Sequence, residues 1–180
     1  MVMGAISGKM MDEVIGFEGG VKLISDGDSG TDAEAAGLEL LISIRPVHAD
    51  NIVEGVKTVE FRRRFPADHR VRGATVWIYS TSPVREVIGT ATVMSVERMG
   101  TTALWHAYAD QGAVSRSLFE DYFAGATEGH AIRLGGVRRL RMPVDAARLE
   151  ALDFATPQSY RFVPEDVSGV LRGCLGEVPA

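Results

Sequence analysis

Apolar and polar positions between Leu38 and Val163 follow strand-like alternation, interrupted by short segments with helical spacing. The apolar run LELLISI, residues 38–44, predicts a buried strand. Pro46 then favours the start of a helix over VHADNIVEG, with Val47, Ile52 and Val53 facing the core and Gly55 ending the helix. Alternation predicts strands over residues 58–62, 74–80 and 86–99, and the last two are rich in β-branched residues.

The second half of the chain mixes both periodicities. Helical spacing of leucine and aromatic residues predicts helices over TTALWHAYADQG, residues 101–112, and SRSLFEDYFAG, residues 115–125. A strand with a break at Gly135-Gly136 follows over residues 130–143, then a short helix near residues 146–152 and a final strand near 159–163. We therefore predict an α+β fold, with a small, strongly curved mixed sheet or β-barrel flanked by short helices.

The segment GVKTVEFRRR, residues 55–64, combines strand alternation with an unusual number of charges. Alternation places the side chains of Val59 and Phe61 on one face of the strand and those of Glu60 and Arg62 on the other. In a regular strand Lys57 and Glu60 would point to opposite faces, so a shared site requires Lys57 to lie in a turn or a bulge. The competing interpretation is a solvated strand whose surface ion pairs contribute about 0–1 kcal/mol each.

Composition and charge divide the 180 residues into three parts. Residues 1–37 form an acidic, glycine-rich leader with two lysines against seven acids. Residues 38–163 carry sixteen basic and fourteen acidic residues and form the predicted domain, and residues 164–180 are expected to be a loose tail. The lone Cys174 allows no disulfide framework, and we expect it to be buried or idle. No apolar run is long enough for a membrane helix or a secretory signal, which predicts a cytoplasmic protein.

Motifs for cofactors and metals are missing from the sequence. It contains no G-x-x-x-x-G-K-[ST] phosphate loop. The four histidines are scattered, without the spacing that would place two ligands on one helix face, and each is expected to be a surface or cap residue. We therefore expect no cofactor and no metal site.

The order of these elements, with G-x-K-x-x-E-x-R at Gly55, Lys57, Glu60 and Arg62, resembles ASCH domains of the PUA-like superfamily. The resemblance extends through WIYSTSPVREVIGTATV, LFEDYFAG, GHAIRL and PQSYRF, and so spans residues 38–163. It implies a β-barrel with flanking helices and a cleft beside the motif strand. Such domains are similar to RNA-modification modules, which implies RNA or a modified nucleotide as the partner.

Side chains near the motif strand suit such a partner. Arginine contacts phosphates, and a carboxylate accepts hydrogen bonds from exocyclic amines or ribose hydroxyls. The predicted ligand-binding residues are Arg45, Gly55, Lys57, Glu60, Arg62, Arg63, Arg64, Tyr79, Ser80 and Tyr160.

Two other functions stay open at the level of sequence. The resemblance implies a hydrolase acting on RNA or on an acylated nucleoside, with Lys57 and Glu60 as the catalytic residues. Glu60 stands where the amidohydrolases among these domains place a threonine, and Glu120 is the candidate for their distant glutamate. The acidic leader suggests the remaining function, a protein-interaction module.

Overall fold

A computed structural model describes residues 37–175 of the chain. Six strands and six helices follow one another in this range. The strands are β1 (Glu39–Ile44), β2 (Val59–Arg62), β3 (Thr75–Ser80), β4 (Glu86–Gly100), β5 (Glu128–Asp145) and β6 (Tyr160–Phe162). The helices are α1 (Pro46–Val53), α2 (Asp68–Val71), α3 (Thr101–Gly112), α4 (Arg116–Tyr122), α5 (Ala146–Glu150) and α6 (Glu165–Gly173).

The strands form one mixed sheet in the order β2-β5-β4-β3-β1-β6, curled into half a barrel. β1 and β3 are parallel, with α1, β2 and α2 between them along the chain, and the other neighbours are antiparallel. Register shifts in β4 against β3 and β5 indicate bulges, which bend long strands and increase their twist. The α+β fold with a curved mixed sheet is thus confirmed.

Apolar cores cover both faces of the sheet, and β1 and β3 are therefore buried on both sides. Leu40, Ile42 and Val76 face the first core with α1, whereas Leu41 and Trp77 face the second core with α5 and α6. A third cluster joins β2 to α3 and α4 through Phe61, Leu104, Phe119 and Phe123. This third cluster fixes the position of the motif strand against the helical side of the domain.

Helix α1 begins at Pro46, as predicted, and Gly55 lies just beyond its end with a φ of +76°. This left-handed conformation costs glycine little. Ala49 and Ile52, one helical turn apart, form its fully buried face. Val47 was predicted to face the core but is 60% exposed, because it lies about 140–160° around the helix from Ile52 and Ala49.

Two segments differ from the sequence-based expectations. The basic turn after β2 contains the short helix α2, in which Asp68 accepts hydrogen bonds from Arg72 and from the Val96 backbone. The segment after Pro164 was expected to be loose, but α6 buries Val167 and Leu171 in the second core. Cys174 is buried there too, as expected. The predicted leader, apart from Gly37, lies outside the described residues, as do residues 176–180.

Glu39 anchors α6 to β1. This buried carboxylate accepts hydrogen bonds from Trp77 Nε1 at 2.7 Å and Ser168 Oγ at 2.6 Å, and it pairs with Arg172 at 2.6 Å. Two of its partners belong to α6, so charge and hydrogen bonding reinforce the apolar contacts of that helix.

Candidate functional site

Lys57 lies in the connection between α1 and β2 and not in the regular strand. Its backbone N–H donates to Asn51 at the end of α1, at 2.9 Å, and Thr58 N–H donates to Gln111 at the end of α3, at 3.0 Å. These two bonds tie the connection to both helices. Because β2 begins only at Val59, the Lys57 side chain turns to the same side as that of Glu60.

The Glu60 carboxylate lies between two cations. Its Oε2 is 3.3 Å from Lys57 Nζ, and its Oε1 is 3.1 Å from Arg62 Nε. The Arg62 contact is an ion pair without the alignment of a hydrogen bond. We call Lys57, Glu60 and Arg62 the charged row.

Backbone carbonyls hold the outer ends of the charged row. Lys57 Nζ donates to the Gly112 carbonyl at 2.5 Å, at the end of α3. Arg62 donates to the Ser43 carbonyl at 2.6 Å and lies 3.4 Å from Ser159 Oγ. The row therefore links β2 to α3, β1 and the segment before β6.

The charged row is buried, so the interpretation as a solvated strand with surface ion pairs is wrong. Lys57 is 1% exposed, Glu60 8% and Arg62 7%. Burial lowers the pKa of Lys57; Glu60 opposes this shift, while Arg62 adds to it. Buried charges are costly unless they are paired, which explains why each member of the row has partners.

A cleft with a volume of about 610 Å³ opens beside the charged row. Residues of β1, α1, β2 and the connection between α1 and β2 supply most of the polar lining. The lining from α4 and the segment before it includes Val114, Leu118, Phe119 and Tyr122. The cleft has the size and the mixed lining of small-molecule sites. Its remaining lining residues are Ser43, Ile44, Arg45, His48, Lys57, Glu60, Phe61, Arg62, Thr81, Asp121 and Gln158.

His48 is a cleft residue that sequence reasoning assigned to the surface or to a cap. It lies on α1, and its Nδ1 is buried without a hydrogen-bond partner among the described residues. Burial lowers the pKa of His48, and the nearby Lys57 ammonium lowers it further. The available signal was its position four residues before the buried Ile52, which places both on neighbouring parts of one helix face.

Four predicted ligand-binding residues line the cleft: Arg45, Lys57, Glu60 and Arg62. Arg45 is exposed and precedes α1 at the cleft rim. Gly55 does not line the cleft, and its exposed position ends α1. The structure thus brings the charged row and Arg45 together and gives Gly55 a role in the turn.

The other predicted residues lie elsewhere. Tyr79 belongs to β3 and is buried in the second core, and Ser80, also in β3, is 1% exposed. Tyr160 packs edge-on against Phe65 with ring centroids 5.1 Å apart. Tyr79 and Ser80 lie inside the sheet because strand β3 extends through Ser80, which leaves Thr81 as the first loop residue, and Thr81 does line the cleft.

Arg63 and Arg64 are exposed beyond the charged row. Arg63 donates to the carbonyl groups of Tyr122, at 2.5 Å, and Ala124, at 2.9 Å, so it fixes the end of α4. Glu120, the candidate glutamate of an amidohydrolase, pairs with Arg116 at 2.8 Å and does not line the cleft.

No group of three histidine, cysteine or acidic side chains suited to a metal ion occurs in residues 37–175. None of the helices in the same range has the length and apolar content needed to span a membrane.

Comparison with known proteins identifies the family. The ASCH domain family matches residues 42–132, a range that contains the whole charged row. The chain belongs to the ASCH domain family. An ASCH domain-containing ribonuclease of Zymomonas mobilis is 35% identical over 142 residues, which cover 78% of this chain and 94% of the relative. The crystal structure of ASCH from Zymomonas mobilis superposes with a TM-score of 0.72 at 33% identity, over 78% of this chain and 98% of that one.

Proposed function

We propose that this ASCH domain binds RNA, with one nucleotide seated in the cleft beside the charged row. The observation that carries the proposal is the buried Glu60 carboxylate, held between Lys57 and Arg62 at the floor of a cleft of about 610 Å³. An ion pair that only stabilised a surface strand would not require a cavity beside it. A preorganised carboxylate in a cleft accepts hydrogen bonds from a base amine or a ribose hydroxyl.

The two sides of the cleft suit different parts of a nucleotide. Leu118, Phe119 and Tyr122 supply an apolar and aromatic side, against which a base packs. Arg45, exposed at the cleft rim, supplies a guanidinium for a phosphate. His48, one turn along α1 from Arg45, also lines the cleft and offers its imidazole to the ribose or phosphate.

RNA cleavage is the second candidate, and the lowered pKa of the buried Lys57 favours it. Glu60 is the more exposed of the two proposed catalytic residues, so it is the group that touches the substrate and accepts the proton of the attacking 2′-hydroxyl as that oxygen bonds to phosphorus. The bond from phosphorus to the 5′ oxygen breaks in the same step, and the leaving oxygen takes its proton from water. Lys57, behind Glu60, orients the carboxylate. The name of the ribonuclease relative from Zymomonas mobilis supports the same chemistry.

The remaining candidates have less support. The acylated-nucleoside hydrolase lacks its distant glutamate, because Glu120 lies outside the cleft. The interaction module depends on the leader, nearly all of which lies outside the described residues. We place the proposed RNA function in the cytoplasm and assign it no cofactor.

Binding is tested by titrating a fluorescently labelled single-stranded RNA at several salt concentrations. We expect Arg45→Gln to weaken binding and to make the salt dependence shallower, since a phosphate contact is lost. Arg98→Gln is the matched control, because Arg98 is exposed and pairs with Glu128 away from the cleft. If both variants bind the RNA as tightly as the parent protein, the RNA does not contact Arg45 and its binding site lies outside the cleft.

Cleavage is tested on the same RNA by resolving products over time. We expect Glu60→Gln to abolish product formation while retaining circular dichroism and a cooperative unfolding transition. Arg98→Gln should cleave at the parental rate. Binding without products from the parent protein would reject the ribonuclease and leave an RNA-binding domain.

A further inference from the structure

We infer that a second surface, on the free edge of β5, binds the phosphate backbone of the RNA strand that leaves the cleft. The inference rests on the proposed RNA function. The surface consists of Arg138, Arg139 and Arg141, and we call it the β5 arginine edge. All three arginines are exposed, and residues 129–144 contain no aspartate or glutamate.

The edge is free because β2 is much shorter than β5. β2 pairs only with residues 130–133 of β5, and one further bond joins Leu134 N–H to the Thr58 carbonyl at 2.9 Å. From residue 135 onward, no strand of the described chain lies on that side of β5. Backbone N–H groups at an open edge add donors that contact phosphates together with arginine.

A bulge carries part of this edge outward. Arg139 pairs with Gly89, but the next pair toward the end of β5 is Val144 with Val87, so four β5 residues lie opposite one β4 residue. Met142, inside this segment, is 57% exposed. Bulges of this kind redirect side chains, and this one presents Arg141 to solvent.

The edge adjoins the connection that leads into the charged row. Arg139 Nη2 lies 3.8 Å from the carboxylate of Glu54, three residues before Lys57. That distance is longer than the roughly 2.7–2.9 Å of a charge-assisted hydrogen bond, so Glu54 does not saturate the guanidinium. A strand leaving the cleft past this turn therefore meets Arg139 and then Arg141.

Protection of the sheet edge is the competing explanation, since charged residues and Pro143 also prevent edge-to-edge pairing. That explanation predicts aggregation when the arginines are neutralised, with no change in RNA affinity. The two explanations therefore differ in a measurable quantity.

The test compares Arg139→Gln/Arg141→Gln with the control Arg98→Gln/Arg148→Gln, which removes two exposed arginines outside the edge. Each protein is titrated with a dinucleotide and with a single-stranded RNA of about 20 nucleotides, at several salt concentrations. For the β5 variant we expect unchanged dinucleotide affinity. For the long RNA we expect weaker binding and a slope of log affinity against log salt that is shallower by about 1.4, or ~0.7 per lost contact. The control should match the parent.

Each other result has a distinct meaning. Long-RNA affinity and slope equal to those of the parent would overturn the inference while leaving the cleft function intact, and accompanying aggregation would establish edge protection. Equal weakening for both ligands would overturn it as well, because the arginines would then act on the cleft. If the parent binds neither ligand, the proposed function itself fails, and with it the assignment of this edge to RNA.

Discussion

Lys57 Nζ lies 3.3 Å from Glu60 Oε2 and Arg62 Nε lies 3.1 Å from Glu60 Oε1, so one buried carboxylate is the shared counterion of two buried cations. The contributions of the three residues to stability are therefore unequal. Removal of the carboxylate leaves two charges without a counterion, whereas removal of either cation leaves Glu60 with the other. Loss of the carboxylate should therefore lower the free energy of unfolding more than loss of either cation.

We expect Glu60→Gln to lower the free energy of unfolding by about 3–5 kcal/mol. Lys57→Met, which keeps a long apolar stem, should cost less, about 1–3 kcal/mol, because the Gly112 carbonyl loses its charged donor. Urea denaturation of both variants measures which of them loses more free energy of unfolding. A larger loss for Lys57→Met than for Glu60→Gln would show that the two cations do not depend on the Glu60 carboxylate as the geometry indicates.

The Glu39 carboxylate should control the docking of α6, since Trp77, Ser168 and Arg172 all contact it. Glu39→Gln keeps the side-chain volume but presents an amide to these donors, and we expect a loss of about 1–3 kcal/mol in unfolding free energy. Amide hydrogen exchange in α6 should become faster than in β4. Glu165→Gln is the control, because Glu165 is exposed and pairs with Arg172 on the solvent side. Unchanged exchange in Glu39→Gln would mean that apolar packing alone holds the helix.

Gly112 connects the end of α3 to the charged row. A Cβ at this position would overlap the Phe61 ring, and the Gly112 carbonyl is the acceptor for Lys57. Gly112→Ala must therefore displace Phe61 or the end of α3, and we expect a loss of about 1–3 kcal/mol in unfolding free energy. Gly169→Ala in α6 is the control, with no atom near its added Cβ, and it should leave stability equal or higher. Equal unfolding curves for the two variants would contradict the tight contact.

Periodicity alone predicted most of the elements, because the long strands β4 and β5 and the helices α3 and α4 have strong local patterns. It failed at α2, whose four residues are too few to establish a period, and at α6, where only Val167 and Leu171 signal a buried face. Both elements depend on tertiary contacts, through Asp68 with β4 and through Glu39 with α6.

The candidate site was only partly predictable. The resemblance to ASCH domains implied a cleft beside Lys57, Glu60 and Arg62, but the pairing of this row with the Gly112 and Ser43 carbonyls comes from segments distant along the chain. The position of His48 in the cleft was not predicted, because a single histidine on a short helix forms no recognisable spacing with a second functional residue. Tyr79 was predicted to bind the ligand, but it lies inside β3. Because that strand ends at Ser80, the hydroxyl that lines the cleft belongs to Thr81.

The titration of His48 should report on the charged row. Burial is the main cause of its lowered pKa; Lys57 lowers the pKa further, and Glu60 opposes this. Lys57→Met should therefore raise the pKa of His48, whereas Glu60→Gln should lower it. Nuclear magnetic resonance titration of the imidazole measures both shifts, with Arg98→Gln as the control that should leave the midpoint unchanged. Shifts in the same direction for the two variants would show that repacking, and not charge, sets the pKa.

The same lowered pKa predicts a stability change with pH. An unfolded chain binds a proton at His48 with the ordinary histidine pKa of about 6.5, before the folded protein does. The free energy of unfolding therefore rises with pH across the window between the folded-state pKa and the ordinary one, and it falls on acidification. His48→Gln cannot bind this proton and should show a smaller loss of stability in that window, measured by urea denaturation at a series of pH values. An identical pH profile for parent and variant would mean that the buried Nδ1 does not penalise protonation in the folded protein.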